Sequence, residues 1–114
     1  MEFSGAIREA KKGTAELVVL ALLDQQSLHG YELTKLIDER SGGALTFNFA
    51  SLYATLYKLE ERKWIHGRWV EKPGQRRRRY YTITARGKEV LATQRREWQQ
   101  FFALIGDLAG VRYA

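Results

Sequence analysis

The chain of 114 residues has no cysteine, one proline, one methionine and two histidines. Lack of cysteine excludes disulfides, thiolate metal sites and cysteine nucleophiles, and is compatible with a reducing compartment. His29 and His66 do not stand at metal-ligand spacing with another ligand, and His29, in Leu28-His29-Gly30-Tyr31, reads as a structural residue at the start of a helix. No Gly-rich phosphate loop occurs, and the acids are scattered over helix surfaces. Enzyme chemistry therefore finds no foothold, and neither a metal nor a cofactor is expected. Long hydrophobic runs are also missing. The longest, Leu17 to Leu23, is too short to cross a bilayer. Lys11 and Lys12 precede it, but Glu16 opens it, Asp24-Gln25-Gln26 closes it and no small-residue cleavage site follows, so a signal peptide is not expected. The expectation is a soluble, cytoplasmic protein without a membrane partner. Repeats and low-complexity tracts are absent apart from one arginine run.

What is present is a foldable composition, 45% hydrophobic and 28% charged, in a length that suits a single domain. So small a domain has much surface for its volume, and dimerisation would help it. Lys and Arg number 19 against 13 Asp and Glu, a formal net charge of +6. Between His66 and Tyr80 lie Arg68, Lys72, Arg76, Arg77, Arg78 and Arg79 with Glu71 as the only acid, so nearly all the excess positive charge is local. A concentrated basic patch on an otherwise balanced domain implies a polyanionic partner.

Hydrophobic spacing organises the rest. Phe3, Ile7 and Ala10 suggest a short amphipathic helix within residues 1–12, ended by Gly13. Thr14 is a suitable N-cap for a second helix over residues 15–25, apolar on most of its circumference and so destined for the core. After the connection Gln26-Ser27-Leu28, a helix is expected from His29 to Arg40, stopped by Gly42-Gly43. Leu45-Thr46-Phe47 reads as a very short strand. Asn48 then caps a helix over residues 49–63, with Leu52, Leu56 and Leu59 as its core face. Strands over 64–70 and 79–83, joined by the turn Lys72-Pro73-Gly74-Gln75, form a hairpin with a basic tip. Thr84 caps a last helix over 85–109, before Gly110. The fold class is mainly α with a small β-hairpin (α+β): a winged helix-turn-helix with a C-terminal dimerisation helix. Residues 1–84 are expected to form the DNA-binding domain and 85–114 the dimerisation helix. Such a module sets the second helix of its pair in the major groove while the wing follows the backbone or minor groove.

The helix over 49–63 would display Ala50, Ser51, Ala54, Thr55, Tyr57, Lys58 and Glu61 opposite its core face. Small residues let a helix seat deeply, and hydroxyls and methyls can meet base edges or phosphates. The plain alternative is a solvated helix face. Arg76, Arg77 and Arg78, nearest the tip, are candidates for phosphate or minor-groove contacts, unless they form a merely solubilising loop. Strand alternation sends Arg79 and Tyr81 to one face and Arg78 and Tyr80 to the other. Tyr80, Tyr81 and Trp69 read as packing residues. Were they instead a stacking platform, the protein would be a single-stranded nucleic-acid or RNA binder. A protein-interaction module is a third reading.

In the last helix Leu91, Trp98 and Ile105 interleave with Gln94, Phe101 and Leu108 as a and d positions of a heptad, widened by Val90 and Phe102. This stripe is expected to pair with its copy in a second chain. Packing back on its own domain would account for Val90 and Leu91 but not for Trp98, Phe101 and Ile105.

Four segments together resemble the PadR family of transcriptional regulators: Gly13-Thr14-Ala15-Glu16-Leu17 with Val19 to Leu23; Leu28-His29-Gly30-Tyr31-Glu32-Leu33; Ser51-Leu52-Tyr53-Ala54-Thr55-Leu56-Tyr57-Lys58-Leu59-Glu60; and Arg78-Arg79-Tyr80-Tyr81-Thr82-Ile83-Thr84-Ala85-Arg86-Gly87. The resemblance spans about residues 13–102. It implies a homodimeric winged-helix repressor of the short type, whose single C-terminal helix makes the dimer. The implied partner is double-stranded DNA at an inverted-repeat operator, often beside the regulator's own gene. It also implies backbone contacts from Tyr31 and Lys35, and a recognition set of Ser51, Tyr53, Ala54, Thr55 and Lys58. Some members bind planar aromatic drugs or phenolic compounds between their C-terminal helices, with a tryptophan as stacking surface. Trp98 falls at that position, flanked by Phe101 and Phe102, and would either line such a pocket or simply fill the interface. Ala54 stands where the family often has proline and Lys63 where it often has glycine, which leaves the turn into the wing open.

Overall fold

The computed structural model describes the backbone of residues 5–111 and the side chains of residues 13–111. Helix α1 spans Gly5–Gln25, strand β1 Leu28–His29, α2 Gly30–Arg40, α3 Phe49–Glu61, β2 Ile65–Val70, β3 Arg78–Ile83 and α4 Ala85–Ala109. The sheet order is β1-β3-β2, with both pairings antiparallel. The expected α+β winged helix-turn-helix is the observed architecture.

Helix α1 supplies the middle of the core. Val19, Leu20, Leu22 and Leu23 are all buried, and they pack with Leu33 and Ile37 of α2, Leu52, Leu56 and Leu59 of α3, and Ile65, Tyr81 and Ile83 of the sheet. Burying a side chain of this size contributes about 1.5–3 kcal/mol. The helix starts follow the sequence signals. Asn48 accepts the Ser51 N–H at 2.8 Å, Thr84 Oγ1 accepts the Gly87 N–H at 3.0 Å, and Gly110 ends α4 in the left-handed region at φ 70. His29 Nδ1 accepts the Glu32 N–H while the Glu32 carboxylate accepts the His29 N–H, a reciprocal capping box at the head of α2.

Three expectations are corrected. The separate N-terminal helix over 1–12 and the Thr14 cap are replaced by one continuous α1 that runs through Gly13 and Thr14. A single glycine inside a helix costs only about 1 kcal/mol, which the buried face beyond it outweighs. Phe3 lies outside the described residues, as do the side chains of Ile7 and Ala10. Leu45-Thr46-Phe47 is not a strand. The third strand is instead Leu28–His29, registered against Tyr81 and Tyr80, because a strand exists only where a sheet edge accepts its hydrogen bonds. Finally, α3 ends at Glu61 rather than at Lys63. Lys63 adopts φ 64, its N–H bonds the Glu60 carbonyl and the Trp64 N–H bonds the Leu59 carbonyl, so the turn into the wing is a Schellman motif with lysine at the left-handed position.

Candidate nucleic-acid interface

The hairpin is held in register from Ile65 opposite Ile83 to Val70 opposite Arg78. Its turn places Pro73 and Gly74 (φ +72) centrally, with the Gln75 N–H donating to the Lys72 carbonyl at 3.0 Å. These are the residues a type II turn requires. Alternation along β3 divides the arginine run as expected. Tyr81 is buried and Arg79 half-buried on the face toward α3, whereas Arg78 and Tyr80 lie toward the head of α2. The Arg78 guanidinium is 5.9 Å from the Tyr31 ring, and Tyr80 meets His29 edge-on at 5.2 Å. Arg77 lies 4.4 Å over Trp69 and 3.6 Å from Glu71, an exposed pair that is screened and weak. Arg76 is exposed.

Some of the predicted contact residues are brought together by the fold. Tyr31 and Lys35 are exposed on α2, Ser51, Tyr53, Ala54 and Lys58 are exposed on α3, and Arg78 joins Tyr31 and Lys35 along one cleft of about 510 Å³. Thr55 departs from the expected display. It is half-buried and its hydroxyl donates to the Ser51 carbonyl at 3.1 Å, which turns it back onto its own helix. Tyr53 has a packing role: a Cβ on Gly30 would lie 2.6 Å from its hydroxyl, so its ring is seated on the first residue of α2. Phe49 joins Tyr53 and Tyr57, both expected on the displayed side, as exposed aromatics of α3.

Burial pushes the His29 pKa below its ordinary value, with nearby Arg78 and Lys72 adding to the effect and Glu32 opposing it. His29 is thereby kept in the neutral form that can accept the capping hydrogen bond. Burial likewise raises the Tyr81 phenol. The hydrogen bond to Glu60 raises Arg79 further. Of the three hairpin aromatics, Tyr81 is buried, Tyr80 is packed on His29, and Trp69 is 53% exposed but covered by Arg77 and Arg79. That arrangement is poor for a base-stacking platform, and it leaves Trp69 more open than a packing residue was expected to be.

The stripe on α4 divides in two. Leu91 is taken up by the chain's own core, and Gln94 is half-buried with its Oε1 enclosed and unpartnered among the described residues. Trp98 is half-buried against α1, where a Cβ on Gly13 would lie 3.8 Å from its ring. Trp98, Phe101 and Phe102 contact one another with centroids 5.6–6.3 Å apart. Beyond them Leu104, Ile105, Leu108 and Val111 are exposed, Leu108 by 76%. Trp98 is thus covered in part by its own chain at Gly13. The distal end of the stripe is bare, and Phe102 before it is 39% exposed.

Sequence reasoning passed over Glu60, Gly67 and Gly87. Gly67 interrupts a strand, and a glycine there signals a close approach of other atoms. A Cβ at this position would fall within 2.6–2.9 Å of the Arg79 guanidinium. Gly87 brings α4 against the turn after α3, where a Cβ would lie 2.0 Å from the Trp64 carbonyl oxygen. Among the described residues no cluster suited to a metal ion occurs, and no helix is long and apolar enough to cross a membrane.

Comparison with known proteins gives the same picture. The sequence model of the Transcriptional regulator PadR-like family matches residues 19–93. An uncharacterized protein of Lysinibacillus sphaericus is 28% identical over 94 residues, covering 82% of this chain and 86% of its own. A transcriptional regulator from Clostridium thermocellum shares the fold, with a TM-score of 0.81 at 24% identity over 93% of this chain and 97% of that one. PadR of Bacillus subtilis, solved in complex with operator DNA, aligns with a TM-score of 0.63 at 26% identity over 69% of this chain and 45% of its own.

Proposed function

Since the chain belongs to the PadR-like family and is a DNA-binding transcriptional regulator of that type, we propose that it acts as a homodimeric repressor at an inverted-repeat operator. The residues we assign to DNA are Tyr31 and Lys35 of α2, Ser51, Tyr53, Ala54, Thr55 and Lys58 of α3, and Arg76, Arg77 and Arg78 of the wing. The observation that carries the reading is the approach of Arg78 to Tyr31, which brings the wing to the head of α2 along one cleft that Lys35 also lines, while Tyr53 of α3 reaches Gly30 in the first turn of the same helix. That the Bacillus subtilis relative is solved in complex with operator DNA supports duplex DNA as the partner. We assign residues 1–84 to DNA binding and α4 to dimerisation, the latter supported by the bare apolar side chains Ile105 and Leu108. In the dimer two α3 helices would stand about one DNA turn, 34 Å, apart.

Planar aromatic compounds are the proposed effectors, bound where Trp98, Phe101 and Phe102 converge and releasing the repressor from DNA. A cluster of three rings at the edge of a bare apolar end suits such ligands. Selection from a random duplex library tests the main reading: a palindromic preference with half-sites one turn apart is expected. Affinity for the selected duplex should fall steeply with salt, each phosphate contact adding about 0.9 to the slope of log affinity. A salt-insensitive affinity refutes the wing contacts. For the effector, quenching of tryptophan fluorescence by a planar aromatic dye should disappear in Trp98→Ala; an unchanged response rejects the site.

A further inference from the structure

Arg79 differs from the three arginines before it. Its guanidinium is ion-paired with Glu60 of α3, lies flat on Gly67 of the neighbouring strand, and faces the Trp69 and Tyr81 rings at 5.5 and 5.9 Å. The two side chains are 28% and 33% exposed, so the pair is sheltered without being sealed. A cleft of about 530 Å³ between α3 and β3, lined by Tyr53, Tyr57, Glu60, Glu61, Arg79 and Tyr81, separates the helix from the strand at this point. Glu60–Arg79 spans that gap. The recognition helix and the middle strand of the wing sheet are tied here by a charge-assisted bond, and the planar fork of arginine fixes its direction.

We propose that Glu60 and Arg79 are positioning residues for operator discrimination, holding the wing at the angle to α3 that lets both engage one site. The proposal rests on the DNA-binding reading of this surface and assigns neither residue a contact with DNA. It makes a prediction opposite in sign to simple electrostatics. Removing the Glu60 carboxylate takes a negative charge from a DNA-facing helix and frees Arg79, so charge alone would tighten binding to any duplex. If the pair sets the angle, the selected duplex is bound more weakly instead.

The test uses the full chain with two probes, a duplex recovered by the wild type from a random library and an unrelated duplex of the same length. Glu60→Ala and Arg79→Ala are each expected to weaken binding of the selected duplex by about tenfold, the scale of one lost base or phosphate contact. The double variant should lose no more than either single one, because both break the same tie. On the unrelated duplex Glu60→Ala should bind as tightly as the wild type or more so, an outcome that a general loss of folding cannot produce. Gly67→Ala, which displaces the guanidinium without removing a charge, should reproduce the loss of discrimination. Unaltered or tighter binding of the selected duplex by Glu60→Ala, or losses that multiply in the double variant, overturns the proposal alone. A wild type that recovers no preferred duplex overturns the DNA-site reading and the proposal with it.

Discussion

Replacing Lys63 with glycine should stabilise the protein, and the size of the gain can be worked from the turn. Lys63 sits at φ 64, where an L-residue brings its Cβ too close to the following carbonyl at a cost of about 1–2 kcal/mol. Glycine avoids that clash but loses about 0.5–1 kcal/mol more conformational freedom on folding. The balance is about 0.5–1 kcal/mol in favour of glycine. Nothing else in the turn should change, because its hydrogen bonds use backbone atoms that glycine retains. The Lys63 N–H donates to the Glu60 carbonyl, the Trp64 N–H to the Leu59 carbonyl, and the Lys63 carbonyl accepts the Thr84 hydroxyl at 2.7 Å. Urea unfolding at fixed protomer concentration should show a higher midpoint with an unchanged slope, and the melting temperature should rise by about 2–5 °C. Lys63→Ala is the control: it removes the same charge beside Arg62 but keeps the Cβ, and should leave stability near that of the wild type. A glycine variant no more stable than the wild type, or an alanine variant that gains as much, refutes the reasoning.

Gly87→Ala should destabilise by about 1–3 kcal/mol in urea unfolding, since its Cβ would meet the Trp64 carbonyl oxygen at 2.0 Å and the Ile83 Cγ1 at 2.8 Å; an unchanged midpoint would show that α4 can move away freely. The folded-state pKa of His29 is lowered, so the stability due to its neutral form is complete above the ordinary value of 6.5 and is lost as pH falls through the folded value. His29→Asn keeps a good N-cap without that titration, so its stability should fall less below about pH 6.5 than that of the wild type, and parallel losses in the two proteins would remove the cap as the cause. Leu108→Glu, at a side chain 76% exposed in the single chain, should leave helix content intact by circular dichroism while converting the dimer to a monomer in light scattering. Persistence of a dimer would move the interface off the distal end of α4.

The arginine run shows how far residue order reaches. Alternation along β3 separates Arg79 from Arg78, but nothing within the run says that Arg79 meets a carboxylate while Arg76 stays exposed. Glu60 lies 19 residues away and becomes a partner only when the wing sheet packs on α3. Trp98 makes the same point on α4: heptad spacing placed it on the apolar stripe, and only the packing of α1 beside α4 brings Gly13 against its ring.

What the sequence determined by itself was local: the N-caps at Asn48 and Thr84, the structural place of His29 at the head of α2, the extent of α4, the Pro73-Gly74 turn, the core leucines of α3 and the charge of the wing. These follow from side-chain periodicity and from hydrogen bonds between residues a few positions apart, which the chain carries wherever it folds. Tertiary structure decided the rest. Leu28–His29 became a strand and Leu45-Thr46-Phe47 did not, because β3 offers its open edge to the first and no edge reaches the second. Lys63 was forced into a left-handed turn by the helix and strand it joins, and Glu60 was drawn to Arg79 across a glycine that gives the guanidinium room. The strand pairing and the Glu60–Arg79 tie depend on atoms distant in sequence that meet only when the elements pack.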